Sequence, residues 1–144
     1  LACDLVYASD EARFILAFIR IGLVPDSGVI RVLVRSLGRH RATEPAVTGD
    51  PLSASEAADA GLINGVVPAS ELAAQAAAVA QRLAVGPTRA IGFTKRLVNQ
   101  ADGPGFDEGL GMEAALQELA GRTQDHAEGV AAFAEKREPR FSGR

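Results

Sequence analysis

The sequence predicts an α/β fold in which a few short strands precede a mainly helical remainder. Three observations support this prediction: short apolar runs occur near the start, helix-capping signals recur from residue 53 onward, and helical periodicities follow one another in the second half. The chain has 144 residues, of which 47% are hydrophobic and only 5% aromatic. These values are typical of one helix-rich globular domain.

Short strands are predicted at the apolar runs Leu5–Ala8, Arg13–Phe18 and Val66–Val67. The first run is already strand-like near Leu1, with no capping residue or turn before it. We therefore expect the chain to be the later part of a larger fold, with the sheet partners of its first strand supplied by residues before Leu1.

Helices are predicted from Gly28 to Leu37 and from Arg39 to about Thr48, separated by a Gly38 cap. Either Asp26 or Ser27 is available as the N-cap of the first helix.

Ser53 and Glu56 have the spacing of a capping box, which predicts a short third helix that ends near Gly61. Further helices are predicted from Ser70 to Gly86, from Pro87 to about Gln100, from Phe106 onward, and from Thr123 to about Arg137.

Charge and cysteine content exclude several classes of function. A formal net charge of −3 argues against a protein that binds nucleic acid through its phosphates. Cys3 is the only cysteine, so no intrachain disulfide is possible, and we expect a small core residue and a reducing cytoplasm. No apolar run approaches the roughly 20 residues that a membrane helix needs.

The histidines and a cationic pair are weak candidates for a functional site. His40 and His126 have no visible catalytic or metal-binding partner, so both are predicted on the surface. Lys95 and Arg96 belong by their spacing to the wet face of an amphipathic helix.

Asp26 is a lone carboxylate between apolar segments, and two interpretations of it stay open. Pro25–Gly28 fits a type I turn before a helix, where Asp is an ordinary residue. Alternatively, the apolar neighbours desolvate the carboxylate and make it basic enough to abstract a proton next to a carbonyl group.

Five segments in order carry a resemblance to a known family: "ACDLVYASDEARF", "IGLVPDSG", "VTGDPLSASEAADAGLINGVVP", "GPTRAIGFTKRLVNQA" and "TQDHAEGVAAFAEKREPRFSGR". They resemble the later half of the crotonase superfamily, the enoyl-CoA hydratases and isomerases. The resemblance covers essentially the whole chain and implies a crotonase-like (ClpP/crotonase) spiral fold with a helical tail.

The resemblance also implies an organisation and an assembly. Residues 1–67 would form the end of the β-β-α spiral, and residues 68–144 the helical region for trimerisation and CoA contact. We expect a homotrimer or a dimer of trimers in the cytoplasm, with an acyl-CoA thioester as ligand and neither nucleic acid nor membrane as partner. Coenzyme A would be part of the substrate, and no separate cofactor is implied.

In this family the thioester oxygen is held by two backbone N–H groups that stabilise an enolate. The resemblance places both donors, and the first glutamate of the hydratases, before Leu1. It places Phe18 at the position of the second hydratase glutamate, where a phenyl ring cannot transfer a proton. Phe18 would then contact the substrate.

Asp26 matches a position that some family isomerases use for proton transfer and that an aroyl-CoA dehalogenase uses as a nucleophile. An enoyl-CoA isomerase with Asp26 as acid/base is therefore our first prediction. The alternatives are an enoyl-CoA hydratase of fatty-acid oxidation and a truncated, noncatalytic CoA-binding or assembly module.

Phe133 and Lys136 match family residues that reach the adenine and phosphate end of CoA, often from a neighbouring subunit. A cation on the last helix is a suitable partner for phosphate. The alternative is that Phe133 is a core residue and that Lys136 and Arg137 only complement a helix C-terminus.

Overall fold

The computed structural model describes residues 1–101 and 103–144. Its contacts divide the chain into two compact units, Leu1–Ala76 and Ala77–Arg144. The roles expected for residues 1–67 and 68–144 stay predictions.

The strands of the first unit form two small ribbons. β1 (Tyr7–Ser9) pairs in parallel with β4 (Gly65–Val67), and β2 (Arg13–Phe14) pairs antiparallel with β3 (Leu52–Ser53). Asn64 extends the first ribbon, because its side-chain oxygen accepts a hydrogen bond from the Val6 N–H at 2.7 Å. Thus the chain after Asn64 returns to the first strand, as the mixed α/β prediction requires.

The predicted strand Arg13–Phe18 is wrong beyond Phe14. A 3₁₀ helix spans Ala17–Ile21 and ends at Gly22, which has a φ of 73°. The Leu23 N–H donates to the Phe18 carbonyl at 3.0 Å and closes this turn. The apolar run is thus divided between a strand and a helical turn, which periodicity over six residues cannot distinguish.

The two helices predicted around Gly38 are confirmed. α1 spans Val29–Thr48 and is broken at Gly38, whose φ of 74° and ψ of 166° are not helical. The prediction of Asp26 or Ser27 as N-cap is wrong, since Gly28 occupies that position and no side chain caps the helix.

The end of α1 is tied to the 3₁₀ helix. Arg20 donates from its guanidinium to the Gly49 carbonyl at 2.6 Å. Gly49 is buried with a φ of 71°, and an added Cβ would lie 3.1 Å from Cγ2 of Ile19. Glycine is therefore required where these two elements meet.

The predicted capping box is present at α2 (Ala54–Asp59). The Glu56 N–H donates to the Ser53 hydroxyl at 3.2 Å, and the Ser53 N–H donates to the Glu56 carboxylate at 2.8 Å. The Ser53 hydroxyl also donates to the Glu56 carboxylate at 2.5 Å, and this hydrogen bond, followed by the one from the Ser53 N–H, lowers the pKa of Glu56. The helix buries two alanines in a core with the following side chains: Ala8, Leu33, Ala42, Leu62 and Ile63.

The helices predicted in the second half are observed. They are α3 (Leu72–Ala84), α4 (Thr88–Gln100), α5 (Phe106–Gly121) and α6 (Gln124–Glu135). The Thr123 hydroxyl caps α6 by accepting from the His126 N–H at 3.0 Å.

No helix in the described ranges combines the length and the apolar character that crossing a membrane demands. Cys3 is exposed, so its prediction as a core residue is wrong.

Candidate functional site

Asp26 lies in the turn between the 3₁₀ helix and α1, and its side chain is exposed. The apolar residues that were expected to enclose it, Leu23 and Val24, are exposed themselves, Val24 by 79%. The prediction that Asp26 is buried is therefore wrong, because the apolar side chains of Leu23 and Val24 do not pack over it. Its role as acid/base stays a prediction.

The turn itself has an unusual backbone. Ser27 and Gly28 have φ values of 55° and 76°, and the Val29 N–H donates to the Asp26 carbonyl at 3.2 Å. Two successive left-handed residues inside a hydrogen-bonded four-residue turn are typical of type I′, so the predicted type I turn is wrong.

Ser27 also binds the carboxylate beside it. Its hydroxyl donates to Oδ1 of Asp26 at 3.0 Å. The sequence predicts Ser27 as a residue of a type I turn or as a helix cap, and neither prediction includes this contact. The signal available was the Ser-Gly pair after Asp, a combination common in turns that require positive φ.

Phe18 is half-buried in the 3₁₀ helix and belongs to the same unit as Asp26. The unit also contains an apolar groove of about 300 Å³. Neither Phe18 nor Asp26 lines this groove, whose lining residues are as follows: Leu1, Arg13, Phe14, Ile15, Leu16, Val29, Leu33, Pro45, Leu52 and Leu62.

The second unit brings the other two predicted residues together. Phe133 and Lys136 lie one turn apart at the end of α6, where the Lys136 N–H donates to the Phe133 carbonyl at 3.3 Å. Phe133 is 88% exposed, so the alternative that it is a core residue is wrong. Lys136 is exposed and left-handed, with a φ of 53°.

Arg137 is held by two carboxylates. Its guanidinium donates to both carboxylate oxygens of Glu128, at 2.6 and 3.0 Å, and to Glu135 at 2.6 Å. The side-chain hydrogen bond from Arg137, followed by the backbone N–H of Arg140, lowers the pKa of Glu128 to about 2. The hydrogen bonds to Glu128 and, next, to Glu135 raise the pKa of Arg137.

Asp125 anchors the C-terminal residues against α6. It is only 4% exposed. Its carboxylate accepts from the Ser142 N–H at 2.6 Å, the Gly143 N–H at 2.9 Å and the Ser142 hydroxyl at 3.3 Å. No local motif in the sequence predicts this anchor or the Glu128–Arg137 pair, because each joins residues too far apart in the chain.

Within residues 1–101 and 103–144, no group of three His, Cys, Asp or Glu side chains lies close enough together to hold a metal ion. His40 and His126 are exposed, as predicted.

The sequence matches the family described as Enoyl-CoA hydratase/isomerase over residues 1–144. It is 42% identical over 141 residues to the 1,2-epoxyphenylacetyl-CoA isomerase of Escherichia coli K12, covering 98% of this chain and 54% of that relative. It is 34% identical to the 2,3-dehydroadipyl-CoA hydratase of the same organism, covering 100% of this chain and 56% of that relative. The chain thus spans about half the length of these relatives.

Solved structures show the same arrangement of elements. The enoyl-CoA hydratase from Polaromonas sp. JS666 superimposes with a TM-score of 0.93 at 33% identity, covering 98% of this chain and 55% of that one. The enoyl-CoA hydratase from Bacillus anthracis gives a TM-score of 0.92 at 33% identity, covering 99% and 55%. The predicted crotonase-like α/β fold is confirmed.

Proposed function

Because the chain belongs to the enoyl-CoA hydratase/isomerase family, we propose that the whole protein is a cytoplasmic enoyl-CoA isomerase in which Asp26 moves the proton. The substrate is a 3-enoyl-CoA thioester. The Asp26 carboxylate takes a proton from C2, which leaves a dienolate, and returns it at C4, which gives the conjugated 2-enoyl-CoA. Two backbone N–H groups from residues before Leu1 hold the enolate oxygen.

The observation that carries this proposal is the combination of Asp26 with Phe18. Asp26 is the only acidic residue between Arg13 and Arg31. Phe18 stands where the family resemblance places the second glutamate of the hydratases. Adding water requires an acid and a base, whereas moving one proton along the substrate requires a single group that takes it and gives it back.

The exposed apolar residues near Asp26 fit this proposal. Ile21, Leu23 and Val24 all lie at the surface. The bound acyl chain and the rest of the whole protein cover them, which excludes water from the surroundings of the carboxylate.

We further propose that Phe133 and Lys136 bind the nucleotide end of CoA. An exposed aromatic ring suits stacking on adenine, and an ammonium group suits phosphate. Both side chains project from one helix end, and Lys136 has no ion-pair partner among the described residues. The protein acts as a homotrimer or a dimer of trimers, in which a neighbouring copy can receive these side chains.

A hydratase of fatty-acid oxidation is the second candidate, favoured by the similarity to the 2,3-dehydroadipyl-CoA hydratase. A noncatalytic CoA-binding or assembly module is the third, and it predicts CoA binding without turnover. Absorbance distinguishes these functions. Isomerisation of 3-hexenoyl-CoA creates a conjugated thioester, hydration of crotonyl-CoA destroys one, and a binding module changes neither.

The decisive variant is Asp26→Asn in the whole protein. We expect kcat for 3-hexenoyl-CoA to fall by about 10²- to 10⁴-fold with KM nearly unchanged, because only proton transfer is lost. Asp50→Asn, which changes another exposed acid of the first unit, is the matched control and should retain activity. Full activity of Asp26→Asn would refute the role of Asp26. Hydration of crotonyl-CoA that survives this change would favour the hydratase.

A further inference from the structure

We propose that Ser27 is a positioning residue that holds the Asp26 carboxylate in the orientation needed for proton transfer. This inference rests on the proposed function of Asp26 and adds a second residue to the same site. It is carried by the backbone of the turn and by one side-chain contact.

Left-handed positions are mostly occupied by glycine in the part of the chain that the structure describes. Six glycines have positive φ among the described residues: Gly22, Gly28, Gly38, Gly49, Gly61 and Gly143. The only other described residues with positive φ are Ser27 and Lys136. Glycine adopts this conformation without the steric penalty that a Cβ brings. The serine therefore occupies a position where glycine would give a more stable turn.

Strained residues of this kind persist where their side chain serves a purpose or where the surroundings fix them. The surroundings of Ser27 are open, because Ser27 and its neighbours Asp26 and Gly28 are all exposed. Packing therefore does not account for the serine. Its hydroxyl, in contrast, has a definite partner in Oδ1 of Asp26 at 3.0 Å.

This hydrogen bond orients the Asp26 carboxylate, as proton transfer requires. It is the only one to the Asp26 carboxylate within the part of the chain that the structure describes. It fixes one carboxylate oxygen and leaves Oδ2 open toward a substrate. A base held in one orientation reacts faster than one that rotates freely, since the ordering is complete before the reaction begins.

The left-handed backbone also contributes to this orientation of the Asp26 carboxylate. Because the turn is of type I′, residues 27 and 28 both have positive φ, and the Ser27 side chain leaves the backbone on the side where it meets the Asp26 carboxylate. Glycine at position 27 would keep the turn and lose the hydroxyl. Serine at position 27 keeps both the turn and the hydroxyl group.

Three substitutions at position 27 separate the hydroxyl from the strain. Ser27→Gly removes the donor and relieves the strain, and Ser27→Ala removes the donor and keeps the strain. Ser27→Asn keeps a donor, its side-chain amide, and tolerates the left-handed region better than most residues. The whole protein is assayed with 3-hexenoyl-CoA, and thermal unfolding of each variant is measured in parallel.

We expect kcat of Ser27→Ala and Ser27→Gly to fall about tenfold with KM unchanged, as the loss of one hydrogen bond to a charged group implies. Ser27→Asn should retain a kcat within about threefold of the parent protein, because it restores a donor. The melting temperature should instead follow the strain, with the glycine variant highest and the alanine variant lowest.

A different ordering overturns the inference. If kcat follows the melting temperature, or if all four proteins have the same kcat, Ser27 has only a structural role. Asp26→Asn in the same assay separates the two proposals: an inactive Asp26→Asn beside a fully active Ser27→Gly refutes Ser27 alone, whereas an active Asp26→Asn refutes both. Ser36→Ala, which removes an exposed serine hydroxyl of α1, is the control and should leave kcat unchanged.

Discussion

Ser27 and Lys136 share a backbone conformation that only glycines otherwise adopt among the described residues, but their surroundings differ. At Ser27 the side chain is engaged, because its hydroxyl binds the adjacent carboxylate. At Lys136 the backbone is engaged instead. Its N–H donates to Phe133, and the next residue, Arg137, is fixed by Glu128.

The comparison shows two ways of keeping a strained residue in place. At Ser27, one hydrogen bond from the hydroxyl orients the carboxylate of the neighbouring Asp26. At Lys136, a network of hydrogen bonds holds the backbone and leaves the ammonium group available to a ligand. The strained backbone at Ser27 therefore helps to orient the side chain of Asp26, whereas the strained backbone at Lys136 exposes the side chain of Lys136 itself.

Asp125→Ala should cause the largest loss of stability. It removes the acceptor of the Ser142 and Gly143 N–H groups and leaves them without a partner, which costs about 2–4 kcal/mol. Urea unfolding measures the loss, and hydrogen exchange should show the greatest loss of protection at the Ser142 and Gly143 amides. Asp107→Ala, an exposed acid in the first turn of α5, is the control and should change stability by about 0.5 kcal/mol or less. Equal loss of protection at residues 26–29 would break the comparison.

Lys136→Gly should raise stability and weaken CoA binding at the same time. Glycine relieves the left-handed strain, which stabilises the protein by about 1 kcal/mol. Loss of the ammonium group should raise the Kd for CoA about tenfold. Thermal unfolding and titration calorimetry measure the two effects.

Lys136→Ala provides the control for that substitution. Its Cβ retains the strain, so it should weaken CoA binding equally without a gain in stability. Unchanged CoA affinity in both variants would contradict the proposed role of Lys136.

Glu128→Gln should change stability less than the substitutions above, because exposed ion pairs contribute little. The substitution should instead change how the stability of the protein depends on pH. The pKa of Glu128 is lowered from 4.5 to about 2 in the folded protein, so its contribution to stability is present above pH 4.5 and disappears as pH falls toward 2. The urea midpoint of the parent protein should therefore fall more steeply between these pH values than that of the variant. Parallel curves would show that Arg137 does not hold Glu128 in solution.

Local signals in the sequence predicted much of the fold. The capping box at Ser53, the cap at Thr123 and the break at Gly38 depend on residues at most four apart, and all are present. The strand β3 was not predicted, because its partner β2 lies far away in the chain and neither strand exceeds two residues.

The candidate site was predictable only in part. The family resemblance identified Asp26, Phe18, Phe133 and Lys136 as candidates, and the structure places Phe133 with Lys136. It could not predict that Asp26 is exposed, since apolar neighbours in sequence do not pack on a residue unless the chain turns them toward it. The left-handed conformation of Ser27 was not predicted either, because the Ser-Gly pair after Asp indicates a turn with positive φ but does not show which residues adopt it.

The two strand ribbons have a consequence for handling the chain by itself. Each ribbon has only two strands in the described residues, so main-chain N–H and C=O groups line its outer edges. A ribbon of two strands is marginal in water, and open edges readily accept another strand. The 144-residue chain by itself should therefore precipitate from solution as its concentration is raised.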